Sequence, residues 1–266
     1  MRSPGDRRPR PAAHAHDTSW GGVAEWYASH LSQGETYHSE VVVPHVKRVV
    51  AAVPGMRILD LACGEGSLVR ELAKSGAVVH GSDIAPELIV LAKKQGGTFH
   101  VADAGALTFA DDASYDVVVC VLAIQNMERP EKAIAEAARV LRPGGRLVLV
   151  LNHPVLRIPK RSSWGFDAAN NVQFRRLDGY YLPSKEKMLA HPGQGESGGH
   201  TWSFQRPLDA YMKLLFNRGF AVVGFEEWLS HKTSEKGPRK AAEDRARKEF
   251  PMFLMIEARL ADDSRT

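Results

Sequence analysis

Residues 58–72 read ILDLACGEGSLVREL, an apolar run that passes through a glycine-rich turn into a helix-forming segment. Gly64 and Gly66 allow backbone torsions and a close ligand approach that a side chain would block. The helix that follows presents unpaired N–H groups at its first turn. In open parallel sheets, ligands bind beside such turns, at the carboxyl ends of the strands. The stretch therefore predicts a ligand site on a parallel α/β sheet.

Strands and helices alternate on both sides of this stretch, which indicates parallel strands joined by helical crossovers. After residue 206 the pattern closes with one more helix and two strands. The sequence therefore predicts an α/β, Rossmann-like, seven-stranded and mostly parallel sheet flanked by helices. We predict strands at 57–61, 77–82, 98–102, 115–122, 146–151, 220–226 and 251–260, and helices at 67–74, 86–94, 130–141 and 207–218.

The chain divides into four parts. Residues 1–18 are rich in Arg and Pro and predict a disordered tail. Residues 19–153 hold N-terminal lid helices, with apolar residues at helical spacing, and the ligand-binding core. Residues 154–206 lack a clean period and are too many for an ordinary connection, so we expect a substrate cap there. Residues 207–266 complete the same domain.

Charge and composition narrow the class of protein. The net charge of +4 falls mostly on the first ten residues, where four arginines oppose Asp6, so the remaining body is about neutral. That balance disfavours a nucleic-acid partner, although 232–249 is locally positive and is interpreted as a solvated helix face. There is no apolar run of membrane-spanning length and no signal peptide. Together with two cysteines, Cys63 and Cys120, this predicts a cytoplasmic protein.

Acidic residues distinguish the predicted ligand from a dinucleotide. Asp83 ends the second strand and lies 23 residues after Asp60, where a carboxylate can accept from ribose hydroxyls. The G-x-G-x-x-G pattern is absent, and Asp60 and Glu65 would be unfavourable beside a pyrophosphate. The same acids suit a cationic amino-acid head group.

Five motifs together resemble the class I S-adenosylmethionine (SAM)-dependent methyltransferases, in particular bacterial small-molecule and natural-product enzymes. The resemblance covers about residues 20–151 and the closing strands. The motifs are ILDLACGEGSLVREL at 58–72, VVHGSDIAPELI at 78–89, HVADAGAL at 100–107, YDVVVCVLAIQNM at 115–127 and LRPGGRLVLV at 141–150.

The resemblance implies SAM as the cofactor, S-adenosylhomocysteine (SAH) as its product and no metal. Ala62 departs from the first glycine found in many members. The resemblance also implies which residue contacts which part of the cofactor. Asp60 and the backbone of Ala62 and Gly64 would hold the methionine end, and the Leu122 backbone would lie near the methionine amino group. Asp83 would accept from the ribose hydroxyls, and the adenine would contact Ile84, Asp103 and Ala104.

Absences favour a small-molecule acceptor. The fourth strand is followed by AIQN, not by the Asn/Asp-Pro-Pro-Tyr turn of base and amide methylation, and no Pro-Cys pair suits cytosine carbon methylation. We expect transfer to a hydroxyl or thiol, with an amine ranked lower, of a small aromatic or heterocyclic molecule, by a monomer or homodimer. The alternatives are an RNA methyltransferase and a non-catalytic SAM-binding protein. The candidate catalytic residues are His153, Tyr27 and Gln125, and the candidate substrate-binding residues are Trp20, Tyr37, His38, Asn126, Trp164, Tyr181 and His200.

Overall fold

The computed structural model describes residues 20–32, 34–189 and 199–262. The predicted tail, 1–18, lies outside the described residues. The N-terminal helices are a 3₁₀ turn, Gly21–Val23, then α1, Ala24–Ser32, a π-helical turn, His38–Val42, and α2, Val43–Val50. Pro44 lies in the first turn of α2, directly after the π-helical turn.

Seven strands form the central sheet, and six helices besides α1 accompany them in the described chain. The strands are β1 Arg57–Leu61, β2 Val78–Asp83, β3 Thr98–Val101, β4 Tyr115–Val121, β5 Leu141–Asn152, β10 Phe220–Trp228 and β11 Phe253–Leu260. The remaining helices are α3 Ser67–Ala73, α4 Pro86–Lys94, α5 Pro130–Val140, α6 Leu208–Phe216 and α7 Lys240–Glu249, and a short 3₁₀ turn, Ile124–Asn126, follows β4.

The strand order is β10-β11-β5-β4-β1-β2-β3. All adjacent pairs from β5 to β3 are parallel, and β11 runs antiparallel to both β5 and β10. This confirms the predicted Rossmann-like sheet. The order reverses between β1 and β4, so the carboxyl ends of these two strands mark the place where such sheets bind ligands.

Apolar side chains cover both faces of the sheet. One layer packs α5 and α6 on β1, β4 and β5 through residues such as Ile134 and Leu215. The other packs α2, α3 and α4 on the opposite face through residues such as Val46, Leu72 and Ile89. The sheet is therefore packed on both faces, and its carboxyl edge lies between the two layers. Within the described residues, every helix is too short or too polar to cross a membrane.

The insertion after β5 forms two β-hairpins. The first pairs β6, Ser162–Asp167, with β7, Val172–Leu177; the second pairs β8, Ser184–Leu189, with β9, His200–Gln205. The first hairpin packs on α7, with the Trp164 ring 5.4 Å from Phe250 and the Arg239 guanidinium 4.4 Å from the Phe166 ring. The second packs beside the turn at 124–126. Only the second hairpin therefore lies near the predicted ligand edge.

Candidate functional site

The glycine-rich turn between β1 and α3 forms the floor of the site. Gly64 and Gly66 have φ angles of +59° and +80°, which favour glycine. A Cβ at residue 66 would lie 2.4 Å from the Phe99 ring, and one at residue 64 would lie 3.3 Å from the Tyr27 ring. Both glycines are therefore required by conformation and by close contacts, and the turn leaves its backbone open to a ligand.

Ala62 has the same left-handed backbone, with φ at +61°. A Cβ is unfavourable in this conformation, so glycine would suit the position better than alanine. We expect Ala62→Gly to raise the free energy of unfolding by about 0.5–1 kcal/mol, because relief of strain exceeds the added entropy of the unfolded chain. Urea unfolding of both proteins measures this change. A loss of stability would show that Ala62 is not strained.

Asp83 ties the turn to the end of β2. Its Oδ2 accepts from the Gly64 N–H at 2.9 Å and its Oδ1 accepts from the Ala85 N–H at 2.9 Å. Each carboxylate oxygen can accept two hydrogen bonds, so both retain capacity for a ribose hydroxyl. Asp83 can therefore hold the loop and a ligand together.

Acidic groups concentrate beneath the turn. Asp60 is 2% exposed, and burial, followed by the nearby Asp83 and Glu65 carboxylates, raises the pKa of Asp60 to about 8. Burial is also the main cause of the raised pKa of the Tyr27 hydroxyl, with Glu65, Asp83 and Asp60 adding to it. Glu65 is paired with Arg70 at 2.6 Å. This acidic end of the site favours a cationic ligand group.

A cleft of about 540 Å³ opens above this floor, within the usual size range of small-molecule sites. Seven of the eight predicted cofactor residues line it: Ala62, Gly64, Asp83, Ile84, Asp103, Ala104 and Leu122. The eighth, Asp60, lies buried at the end of β1. The three loops after β1, β2 and β3 and the end of β4 thus converge on one cavity.

The segment after β4 supplies backbone groups and an amide. Leu122 has φ at +53°, and its carbonyl accepts from Gln125 Nε2 at 2.8 Å and from Asn126 Nδ2 at 3.2 Å. Asn126 lines the cleft, whereas Gln125 is buried behind it and its Oε1 has no hydrogen-bond partner.

Asp103, which follows β3, is exposed at the rim of the cleft and accepts from the Gly105 N–H at 2.8 Å.

Aromatic side chains roof the cleft from two directions. Trp20 and Tyr27, which pack edge to face with ring centroids 5.5 Å apart, come from the N-terminal helices. Trp202 and Phe204 come from β9, and Lys185 from β8. The predicted substrate residues Trp20 and Asn126 and the predicted catalytic residue Tyr27 therefore lie at the cleft. Lys185, Arg129 and Lys132, which also line it, were missed because no motif marks them.

Five other predicted substrate residues do not line this cleft. Tyr37 bonds Ser230 at 3.2 Å and packs against Phe253, while His38 contacts Ser67 at 3.0 Å in a neighbouring cleft. Burial lowers the pKa of His38. The remaining three belong to the insertion: Trp164 faces α7, Tyr181 lies between the two hairpins and is 67% exposed, and His200 packs edge-on against the outer roof residue Trp202.

His153 follows β5 at the correct edge, but its ring is engaged elsewhere. It is 4% exposed, its Nδ1 accepts from the Leu156 N–H at 3.2 Å and its Nε2 contacts Glu227 Oε1 at 2.7 Å. This pairing places the proton on Nε2. His153 does not line the cleft, so the geometry favours a structural role over the predicted catalytic one.

We therefore expect His153→Ala to lower the free energy of unfolding by about 2 kcal/mol, because it removes a buried ring and leaves the Leu156 N–H unpaired. Turnover should change less than twofold when the folded fraction is matched. Chemical unfolding and steady-state kinetics together measure both effects. A large fall in turnover at unchanged stability would restore the catalytic role.

The described residues contain no group of three or more His, Cys, Asp or Glu side chains arranged to hold a metal ion. Cys120 is buried and Cys63 partly so, and burial is the main cause of their raised thiol pKa values. Neither thiol is therefore activated as a nucleophile.

Comparisons with known proteins find methyltransferases. Residues 59–149 match the family model described as a methyltransferase domain. A demethylmenaquinone methyltransferase from Renibacterium salmoninarum is 37% identical over 127 residues, which are 47% of this chain and 52% of that protein. The chain spans about half the length of the curated relatives it matches.

Solved structures extend the likeness beyond the core. An S-adenosylmethionine-dependent methyltransferase from Mesorhizobium loti superposes with a TM-score of 0.64 at 26% identity, covering 81% of this chain and 96% of that one. The (4+2)-cyclase SpnF has a TM-score of 0.61 at 16% identity, covering 95% and 98%, and so shares the fold.

Residues 59–149 therefore match a methyltransferase domain family whose solved neighbours are SAM-dependent enzymes, and SAM is the cofactor of such a domain. The turn with its two left-handed glycines and the acceptors of Asp83 fit the cofactor, and the acidic floor fits its cationic head group.

Proposed function

We propose that the protein transfers a methyl group from SAM to a hydroxyl or thiol of a small, ring-bearing molecule, with an amine ranked lower. One observation carries this proposal. A single cleft has the cofactor residues on one wall and an aromatic roof on the other, so donor and acceptor would share one water-shielded space.

SAM, when bound, supplies an electrophilic methyl group on a sulfonium sulfur. The residues that would hold it are Asp83 at the ribose, Ile84 and Ala104 at the adenine, and Asp60 with the Ala62 and Gly64 backbone at the methionine end. Trp20 and Tyr27 cover the floor and exclude water. The protein's contribution is alignment and shielding, because the cofactor carries the difficult chemistry.

A general base is not evident in this cleft. No histidine is among its described lining residues. The raised pKa of Tyr27 keeps its hydroxyl protonated near neutral pH, so it can donate a hydrogen bond but does not remove a proton. An acceptor that ionises readily, such as an acidic phenol or a thiol, needs no protein base. This supports acceptors of that kind.

The names of the relatives support a ring-bearing acceptor. Demethylmenaquinone, the acceptor in their names, is a quinone, a flat ring compound that an aromatic roof would suit. We extend to this chain only the general class, a planar ring acceptor. A cytoplasmic location, natural-product metabolism and a monomeric or homodimeric state remain predictions.

Two alternatives keep specific tests. An RNA methyltransferase would use basic residues outside the cleft, such as those of α7, and would bind RNA more weakly as salt rises. The second alternative is a SAM-binding protein without transferase activity. The fold is shared with a cyclase, so the fold alone does not decide the chemistry.

Incubation with SAM and a panel of phenols, hydroxyquinones, thiols and amines tests the proposal, with SAH formation and product mass as readouts. We expect acceptor-dependent SAH formation and a product heavier by one methyl group for at least one small ring compound. Methylation of RNA with no small-molecule product would contradict the proposal, and so would tight SAH binding with no product in any class.

A further inference from the structure

The roof of the cleft carries a cation held by aromatic rings. Lys185 lies on β8, and its Nζ is 4.8 Å from the centroid of the Trp202 ring and 5.4 Å from that of Phe204. Both rings line the same cleft as Lys185. Contact with ring faces orients an ammonium group and removes part of its water. Lys185 is therefore a positioned charge in the acceptor part of the cleft.

The carboxylates of the cleft pair only weakly with this charge. Asp83 is engaged by two backbone N–H groups and Asp103 by one. Glu128 also lines the cleft and lies 3.6 Å from Lys185 Nζ, but the two side chains are 69% and 46% exposed, and such exposed pairs contribute little. Arg129 and Lys132 add two further cations to the lining.

The cleft is thus electrostatically divided. Its floor, with Asp83 in the lining and Asp60 buried behind it, is acidic and suits the cationic head group of the cofactor. Its roof and rim hold three cations, Lys185, Arg129 and Lys132, against the two carboxylates of Glu128 and Asp103, and so carry a net positive charge. A ligand that fills the roofed part therefore gains most if it is flat enough to pack on the rings and negatively charged where it meets the ammonium group.

We propose that the acceptor is a planar aromatic compound bearing an anionic oxygen, a carboxylate or an ionised ring hydroxyl, and that Lys185 is the residue that selects it. The inference rests on the proposed function and names the substrate class of that site. Where the anion is the ring hydroxyl, its proton has passed to water, and Lys185 stabilises the resulting oxyanion, the more nucleophilic form, so the lining needs no histidine as a base; where the anion is a carboxylate, Lys185 holds and orients the ring.

Binding, measured separately from turnover, tests this inference. Calorimetry on the full chain saturated with SAH would first compare 1-hydroxy-2-naphthoate with 1-hydroxy-2-naphthamide, which share the rings and differ in charge. A second comparison would measure the binding of 1-naphthol at pH 7 and at pH 10. Lys185→Met removes the charge and Lys185→Arg retains it. Lys160→Met is the matched control, because Lys160 also pairs with a glutamate, Glu186 at 3.5 Å, but does not line the cleft.

We expect wild type, Lys160→Met and Lys185→Arg to bind the naphthoate at least tenfold more tightly than the naphthamide, and Lys185→Met to lose that preference. If 1-naphthol binds more tightly at pH 10 than at pH 7, the anionic oxygen that the site selects is the ionised ring hydroxyl. The affinity for SAH should stay within twofold in every variant. If the wild type binds the naphthoate and the naphthamide equally, or binds neither when SAH is bound, the inference is overturned. If the wild type does not bind SAH at all, the proposed function itself is overturned.

Discussion

Replacing Asp83 with alanine should weaken SAH binding at least tenfold, which corresponds to about 1.4 kcal/mol. The carboxylate has two functions: it is the predicted acceptor for the ribose hydroxyls, and it holds the Gly64 and Ala85 N–H groups at 2.9 Å. Its removal takes away a ligand contact and also frees the turn that forms the floor. Titration calorimetry with SAH measures the change.

Asp112→Ala is the matched control, because Asp112 is an aspartate whose side chain is 79% exposed and pairs with Arg139 away from the cleft. It should leave the affinity for SAH unchanged. Urea unfolding of both variants separates a binding defect from a folding defect. Normal SAH binding by a folded Asp83→Ala protein would refute the ribose role.

The second large effect is a pH dependence set by Asp60. Its pKa is about 8 in the unliganded protein because the carboxyl is buried beside Asp83 and Glu65. A cationic head group favours the ionised form, so binding lowers this pKa and releases a proton. The affinity for SAH should therefore rise by up to about tenfold per pH unit from pH 6 to pH 8.

Asp60→Asn provides the control for this prediction. This variant should lose most of the rise in SAH affinity between pH 6 and pH 8. Any pH dependence of the affinity that is left in the variant then comes from titration of SAH itself. Calorimetry in two buffers of different ionisation enthalpy measures the proton released. An unchanged slope in the variant would show that Asp60 is not the titrating group.

Asp60 also links pH to stability. Because its folded pKa lies above the unfolded value of 3.8, its contribution is fully present below that value and is lost as pH rises through about 8. The unliganded wild type should therefore lose stability between about pH 4 and pH 8. Asp60→Asn should show less of this loss. Urea midpoints across that range measure the effect, and parallel curves would contradict it.

The cofactor side could be predicted from sequence because its determinants are local. Asp60, Gly64 and Asp83 each lie within a few residues of a strand end, and parallel strands bring their carboxyl ends to one edge. Short apolar runs and glycine-rich turns therefore indicated both the sheet and the floor of the cleft. The resemblance of five motifs then specified the ligand.

The acceptor side depends on contacts distant in sequence. His153 lies at the predicted edge, but Glu227, 74 residues later on β10, accepts its ring N–H. Trp164 and Trp202 both lie in the insertion, yet the first packs on α7 and the second reaches the cleft. Hairpin strands with mixed polar and aromatic residues on both faces give no clear period, so the sequence could not tell which hairpin forms the roof.

The central claim is that one cleft holds both cofactor and acceptor, and hydrogen–deuterium exchange with and without SAH tests it most directly. The account predicts slower exchange in 60–66, 83–85, 102–105 and 121–126, with the roof segments 20–27, 184–189 and 200–205 slowed further when an acceptor is added. The neighbouring cleft, lined by His38, Lys47 and Arg70, provides the contrast. Protection confined to α2 and α3 beside that second cleft, with no change at 83–85 or 121–126, would contradict the account.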